Sequence, residues 1–157
     1  MATRKIYIVD KPEELAFLRK ISKPVDEFNA RLGELLDDMK DTMKKADGAG
    51  LSAVQVGILK RVFIILSKDG VVEFINPQIL EGSGECPIME EGCLSIPGRY
   101  GRVKRPNKVV VKAQDRYGNE FTKTFTGFEA KAVAHENDHL DGILYTDIEI
   151  KKEKRKK

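Results

Sequence analysis

Phe28, Leu32, Leu35, Leu36, Met39 and Met43 recur at three- and four-residue steps, with charged residues on the opposite side. That spacing predicts an amphipathic helix starting near Asp26, and its apolar face reads as core. Asp47-Gly48-Ala49-Gly50 ends the helix and opens a glycine-rich loop. Upstream, Asp10 stands where it would cap a short helix through Pro12-Glu13-Glu14, with Leu15, Phe17 and Leu18 as its apolar side.

From Arg61 the period turns from helical to extended. Val62-Phe63-Ile64-Ile65-Leu66 and Val71-Val72-Glu73-Phe74-Ile75 flank Lys68-Asp69-Gly70, which reads as a hairpin. Val109-Val110-Val111 and Phe121-Thr122-Lys123-Thr124-Phe125 flank Asp115-Arg116-Tyr117-Gly118-Asn119, a second hairpin. The stretch between them, Gly82 to Gly101, is rich in Gly and Pro and is expected to be irregular. Thr126 and Glu129 have capping-box spacing, so a helix is predicted from Gly127 to about Leu140, with Gly142 ending it. This order predicts an α+β fold: mainly antiparallel strands packed around that central helix, with a helical region at the N-terminus. No repeat or low-complexity linker interrupts the chain. A single domain is expected over residues 1–150, followed by the basic tail Lys151 to Lys157.

Composition narrows the class without naming a function. A chain of 157 residues with 41% hydrophobic and 34% charged residues fits one soluble domain with its own core. The formal charge of +3 is too small to suggest a nucleic-acid binder, so no DNA partner is expected. The longest apolar runs are strand-sized, well short of the roughly 20 residues of a membrane span, and the N-terminus lacks the apolar segment of a signal peptide. Two cysteines in a chain without an export signal read as free thiols or ligands. These features predict a cytoplasmic protein. The basic tail reads as a solvated run, with weak contact to the ribosome as its functional alternative.

The chemistry is concentrated in one pentamer. Both histidines of the chain fall in His135-Glu136-Asn137-Asp138-His139. On a helix, positions i and i+4 share a face, so both imidazoles can reach one metal ion, and Glu136 can reach a water beside it. A catalytic site of this kind needs a third protein ligand. The chain ends too soon after His139 for a distant glutamate on a following helix. The longer pattern H-E-x-x-H-x-x-G-x-x-H keeps its glycine as Gly142 but has Tyr145 where its third histidine would stand. The missing ligand is therefore expected upstream. Cys93, in Glu91-Gly92-Cys93-Leu94-Ser95, and Cys86, in Gly84-Glu85-Cys86-Pro87, are the candidates, and periodicity does not choose between them.

Three segments together resemble the peptide deformylase family. Its motifs are G-x-G-[apolar]-A-A-x-Q, E-G-C-[apolar]-S and H-E-x-D-H, in that order. Here they are Gly48-Ala49-Gly50-Leu51-Ser52-Ala53-Val54-Gln55, Glu91-Gly92-Cys93-Leu94-Ser95 and His135-Glu136-Asn137-Asp138-His139. The resemblance runs from about Pro12 to Asp147 and includes Asn76-Pro77 and Leu140-Asp141-Gly142. It departs at Ser52, in place of an alanine, and at Asn137, where the family is often apolar or aromatic.

The resemblance implies hydrolysis of the formyl group from N-formylmethionyl peptides of nascent chains, releasing formate. It implies Cys93, His135 and His139 as metal ligands and Fe²⁺ as the working ion, with Zn²⁺, Ni²⁺ or Co²⁺ as substitutes. It makes Glu136 the general base and puts the Gln55 side-chain amide and the Leu94 backbone N–H at the oxyanion. Ala49 and Gly50 are expected to meet the peptide backbone, Gly48 and Gly50 giving it room, and Met89 and Phe128 to line an apolar pocket for methionine. Asp138 is expected to orient a ligand or brace the helix, and Cys86 has no assigned role. A Cys86–Cys93 disulfide is the structural alternative; it would consume the third ligand. Two rival readings are a small zinc peptidase built on the same helix and a metal-binding or ribosome-associated module without activity.

Overall fold

The fold is organised around the continuous apolar run that begins at Val62. In the computed structural model, which describes residues 2–150, this run forms β2 (Val62–Ser67). Successive side chains of a strand point to opposite faces. Val62 and Ile64 accordingly pack with Leu32, Leu35, Leu36, Met39 and Met43, while Phe63 and Ile65 pack with Phe74, Phe125, Ala130, Val133 and Leu140. Both faces of β2 are covered, which is why the sequence there is apolar throughout rather than alternating.

The first of these clusters is supplied by α2 (Ala30–Lys45), which follows the short α1 (Pro12–Leu18). The second is supplied by α3 (Gly127–Leu140). Between the helices lies a five-stranded sheet in the order β1-β2-β3-β6-β7, with β1 (Gly50–Ser52), β3 (Gly70–Ser83), β6 (Lys108–Gln114) and β7 (Glu120–Thr126). Every neighbouring pair in it is antiparallel. Pro77 is accommodated because the register shifts between Ile75 and Gln78, where Asn76 takes a positive φ of 51°. Bulges are where a strand tolerates proline. The Asn76 side chain then bonds both the N–H and the C=O of Val25, tying the segment before α2 to the sheet.

Several boundaries differ from the sequence expectation. The longer helix begins at Ala30, not near Asp26: Asn29 is its cap and accepts from the Leu32 N–H at 3.1 Å, while Val25 is held extended by Asn76. Phe28 packs on the core from the preceding loop. Asp10 does not cap α1, whose cap position is Lys11 with no side-chain bond. Glu129 does not complete a capping box with Thr126; its carboxylate accepts from the Lys68 N–H at 2.9 Å and ties α3 to the β2–β3 turn.

The largest correction concerns Gly82 to Gly101. Much of it is ordered as β4 (Ile88–Cys93) and β5 (Ile96–Lys104), a separate two-stranded antiparallel sheet. Close packing demands a glycine at Gly92, where a Cβ would lie 2.8 Å from the Tyr100 ring. Ile96 and Val103 of β5 join Leu144 and Tyr145, the latter opening α4 (Tyr145–Ile148), in a third cluster. Gly142, at φ 73°, turns the chain out of α3 so closely past Arg19 that a Cβ would sit 2.3 Å from the Arg19 carbonyl oxygen. None of the helices among the described residues is long and apolar enough to cross a membrane. The basic tail, Lys151 to Lys157, lies outside the described residues.

Candidate metal centre

Helix α3 enters the core with small residues foremost. Ala130, Ala132 and Ala134 are all buried and let the helix lie close to the sheet. This carries the HExxH segment, a polar sequence, into the interior: His135, Glu136 and His139 are all buried, His139 completely. Cys93 approaches from the other side, at the end of β4, where it pairs with Ile96 across the turn into β5.

Three ligand atoms converge there. His135 Nε2 and His139 Nε2 are 3.2 Å apart, and Cys93 Sγ is 3.4 Å from His139 Nε2. The ligand atoms of all three residues lie within 4.8 Å of one another. A tetrahedral ion with metal–nitrogen distances near 2.0–2.1 Å spaces two nitrogen ligands roughly 3.3 Å apart. The observed spacings are close to the edges of such a tetrahedron, so the donor set fits a first-row divalent ion in size as well as in kind. Cys86 does not join the group; both cysteines are free thiols and Cys86 is exposed, which removes the disulfide alternative.

The surroundings act in opposite directions on the two imidazoles. Burial works against a charged His135, but Glu136, Cys93 and Glu91 together outweigh it and lift its pKa to about 10. Burial and the neighbouring His135 push His139 well down.

Behind His135 stands a chain of charged groups, Glu91, Arg105 and Asp138, of which only Asp138 has a role expected from the sequence. The Glu91 carboxylate, itself buried, accepts from His135 Nδ1. Arg105 donates to both Glu91 oxygens, at 2.8 and 3.3 Å, and to Asp138 Oδ2 at 2.6 Å. Burial alone would raise the Glu91 pKa, but His135 and Arg105 reverse that and hold it at about 2. An acceptor on Nδ1 fixes the tautomer of a ligating imidazole and turns Nε2 toward the ion. Asp138 therefore acts on the site through Arg105. Glu91 lies within the Glu91-Gly92-Cys93-Leu94-Ser95 motif, which is the one sequence signal that marks it. Arg105 has no local signal.

Glu136 lies on the cleft side of the cluster, its Oε2 3.9 Å from His135 Nε2. Burial is the largest influence on its pKa and raises it, with His135 and the Ser52 hydroxyl offsetting part of the effect. Gln55 is buried in a one-turn 3₁₀ helix, Ala53–Val56. Its Oε1 accepts from the Ser52 N–H at 2.9 Å, which points its amide nitrogen at Ser95 Oγ (3.0 Å) and Cys93 Sγ (3.6 Å).

A cleft of about 550 Å³ opens onto these groups. Its lining includes Ala49, Gly50, Gln55, Leu94, Phe128 and Glu136. Met89 is not part of it: this residue sits opposite Val103 on β4, and the lining begins one residue later, at Glu90. Lys131 lines the cleft instead, its ammonium over the Phe128 ring at 4.6 Å and donating to the Glu90 carbonyl at 3.1 Å. The glycines also differ from expectation. The missing Cβ of Gly50 would lie 2.6 Å from Glu136 Oε2, and that of Gly48 2.7 Å from the Leu94 side chain. Their bareness makes room for the protein's own site residues. Tyr145, where a longer zinc-peptidase pattern would put its third histidine, donates its hydroxyl to the Arg99 carbonyl at 3.2 Å.

Comparison with known proteins agrees across the whole chain. Residues 3–156 match the family model described as polypeptide deformylase. A peptide deformylase of Caldicellulosiruptor bescii is 53% identical over 151 residues, covering 96% of this chain and 88% of that protein. Peptide deformylase 1 of Clostridium perfringens is 51% identical over 135 residues, covering 85% of this chain and 91% of its own length. The crystal structure of a peptide deformylase from Thermotoga maritima superposes with a TM-score of 0.89 at 37% identity, covering 95% of this chain and 99% of that one. One from Legionella pneumophila gives 0.86 at 44% identity, covering 93% and 85%.

Proposed function

This chain belongs to the polypeptide deformylase family, and from that premise we propose that Cys93, His135 and His139 hold its metal ion while Glu136 serves as general base. The reaction is the metal-dependent hydrolysis of the N-formyl group from the N-terminal formyl-methionine of newly made polypeptides, with release of formate. The observation that carries the residue assignment is the convergence of Cys93 Sγ and two Nε2 atoms beside a buried carboxylate, at the floor of an open cleft.

An amide carbonyl is a poor electrophile and water a poor nucleophile. A bound divalent ion supplies Lewis acidity and a water acidified to a pKa of about 7. Glu136 would take a proton from the attacking water and pass it to the nitrogen of the leaving amine. Its raised pKa suits it to hold the proton between these two transfers. Charge that develops on the formyl oxygen is met by the Gln55 amide and the Leu94 backbone N–H. A well-aimed donor of this kind contributes roughly 3–4 kcal/mol to the barrier. The Gln55 amide is already oriented by its bond to Ser52, so little reorganisation is needed.

The peptide lies extended beside the edge strand β1, where Gly50 and the preceding Ala49 line the cleft. Phe128 and the methylenes of Lys131 offer the methionine side chain an apolar wall. Fe²⁺ is the working ion in this reading, with Zn²⁺, Ni²⁺ or Co²⁺ as substitutes, since one thiolate and two imidazoles suit several first-row ions. Two free cysteines, one of them exposed, fit a reducing compartment and support a cytoplasmic setting.

Glu136→Gln is the direct test of the base. The variant is expected to keep its metal and lose at least about 10²-fold in turnover of a formyl-Met peptide. Near-normal turnover would refute the assignment.

A further inference from the structure

Ser52 stands where the family motif carries alanine, and its hydroxyl is fully buried against the reacting carboxylate. Ser52 Oγ lies 2.9 Å from Glu136 Oε1 and 2.9 Å from the Glu136 carbonyl oxygen. A hydroxyl has one proton to donate, and an ionised carboxylate is the stronger acceptor of the two. The other carboxylate oxygen, Oε2, packs over the bare Cα of Gly50 and is the one 3.9 Å from His135 Nε2. The two oxygens of Glu136 are thus differentiated by the chain itself: one is tied to β1 and the other faces the metal ligands.

We propose that Ser52 is a positioning residue for the deformylation reaction, its hydroxyl holding Glu136 Oε1 so that Oε2 is presented to the attacking water. Three features of β1 act together in this. The Ser52 N–H orients the Gln55 amide, the Ser52 hydroxyl orients the Glu136 carboxylate, and Gly50, two residues earlier, leaves the space that Oε2 occupies. A single short edge strand therefore aims both the proton-transfer group and the oxyanion donor. The serine does so without touching substrate. Alanine would fit the same space without the hydroxyl and leave Oε1 without that donor in a buried position.

The inference rests on Glu136 being the base, so the test separates the two. Ser52→Ala, Glu136→Gln and the double variant are prepared with equal metal content, and formate release from a formyl-Met peptide is followed with thermal unfolding. With Oε1 released, Glu136 is held less well for proton transfer, and Ser52→Ala is expected to lower kcat about tenfold. KM and metal stoichiometry should stay close to the parent values, while the loss of a buried hydrogen bond lowers the unfolding midpoint by only a few degrees, leaving the protein folded at the assay temperature. In the Glu136→Gln background the same change should cost less than about twofold, because the group it acts through is gone. Unchanged kcat in Ser52→Ala, a rise in KM alone, or an undiminished loss in the double variant would each overturn the positioning role. Near-normal turnover of Glu136→Gln would instead overturn the base assignment beneath it.

Discussion

Glu91 stands directly behind His135, and its buried carboxylate takes the Nδ1 hydrogen bond, leaving Nε2 turned toward Cys93 and His139. The orientation of the His135 ring toward Cys93 and His139 is therefore set from outside the three side chains. Glu91 is in turn held by Arg105, and Arg105 by Asp138 from the following turn of the same helix that carries both histidines. The ion pair closes a loop between β4 and α3, the two elements that must meet for the third ligand to join the other two.

Removing that support should loosen the metal. Loss of a group that orients a ligating histidine typically costs 10–100-fold in metal affinity. Glu91→Gln is expected to weaken metal binding within about that range while leaving Cys93, His135 and His139 in place. Competition with a calibrated chelator measures it, and an unchanged affinity would mean that Glu91 serves the fold alone.

The same variant gives a pH signature. Glu91 is held at about 2 against an ordinary value of 4.5, so its contribution to stability is complete above about 4.5 and is lost as pH falls through about 2. Glu91→Gln also leaves Arg105 short of a buried partner, a loss that typically costs about 3–5 kcal/mol. In metal-free protein the variant should be the less stable by about that much at pH 7, with the gap narrowing steadily between pH 4.5 and 2. Urea unfolding of both proteins across this range reads the gap. A constant difference would show that the carboxylate charge is not what matters.

Gly50→Ala tests the packing of the catalytic carboxylate. The new methyl would fall 2.6 Å from Glu136 Oε2, and the flexible end of that side chain is what must move. A displacement of about 1 Å at a reacting group can cost about 10²-fold in rate. Turnover should fall by about that factor with the metal retained and the protein folded. Full activity would mean that Glu136 tolerates more freedom than its surroundings suggest.

Much of this arrangement could be read from the sequence, for definite reasons. The residues of α2 carry a strong helical period because one face is buried, and the strand from Val62 is legible as a short continuous apolar run because both its faces are covered. The pair His135 and His139 is local, and helical spacing alone brings them together. The limits of α2 were less legible, since Asn76, far along the chain, pins Val25 and delays the helix to Ala30. The pairing of β4 with β5 was missed because their exposed faces and glycines resemble loop, Gly92 being needed for its contact with Tyr100. Arg105 was invisible for a different reason. Its partners Glu91 and Asp138 lie 14 and 33 residues away, and no spacing rule spans a tertiary contact. Lys131 lining the cleft in place of Met89 follows from the orientation of α3, which only the packing fixes.

The ligand set is tested most directly by purifying the protein and its Cys93→Ala variant without oxygen, then measuring bound metal and formate release side by side. One divalent ion per chain and deformylation in the parent, with both lost in the variant, are the expected results. A variant that keeps its metal and its turnover would contradict the assignment of Cys93 and, with it, the site built around α3.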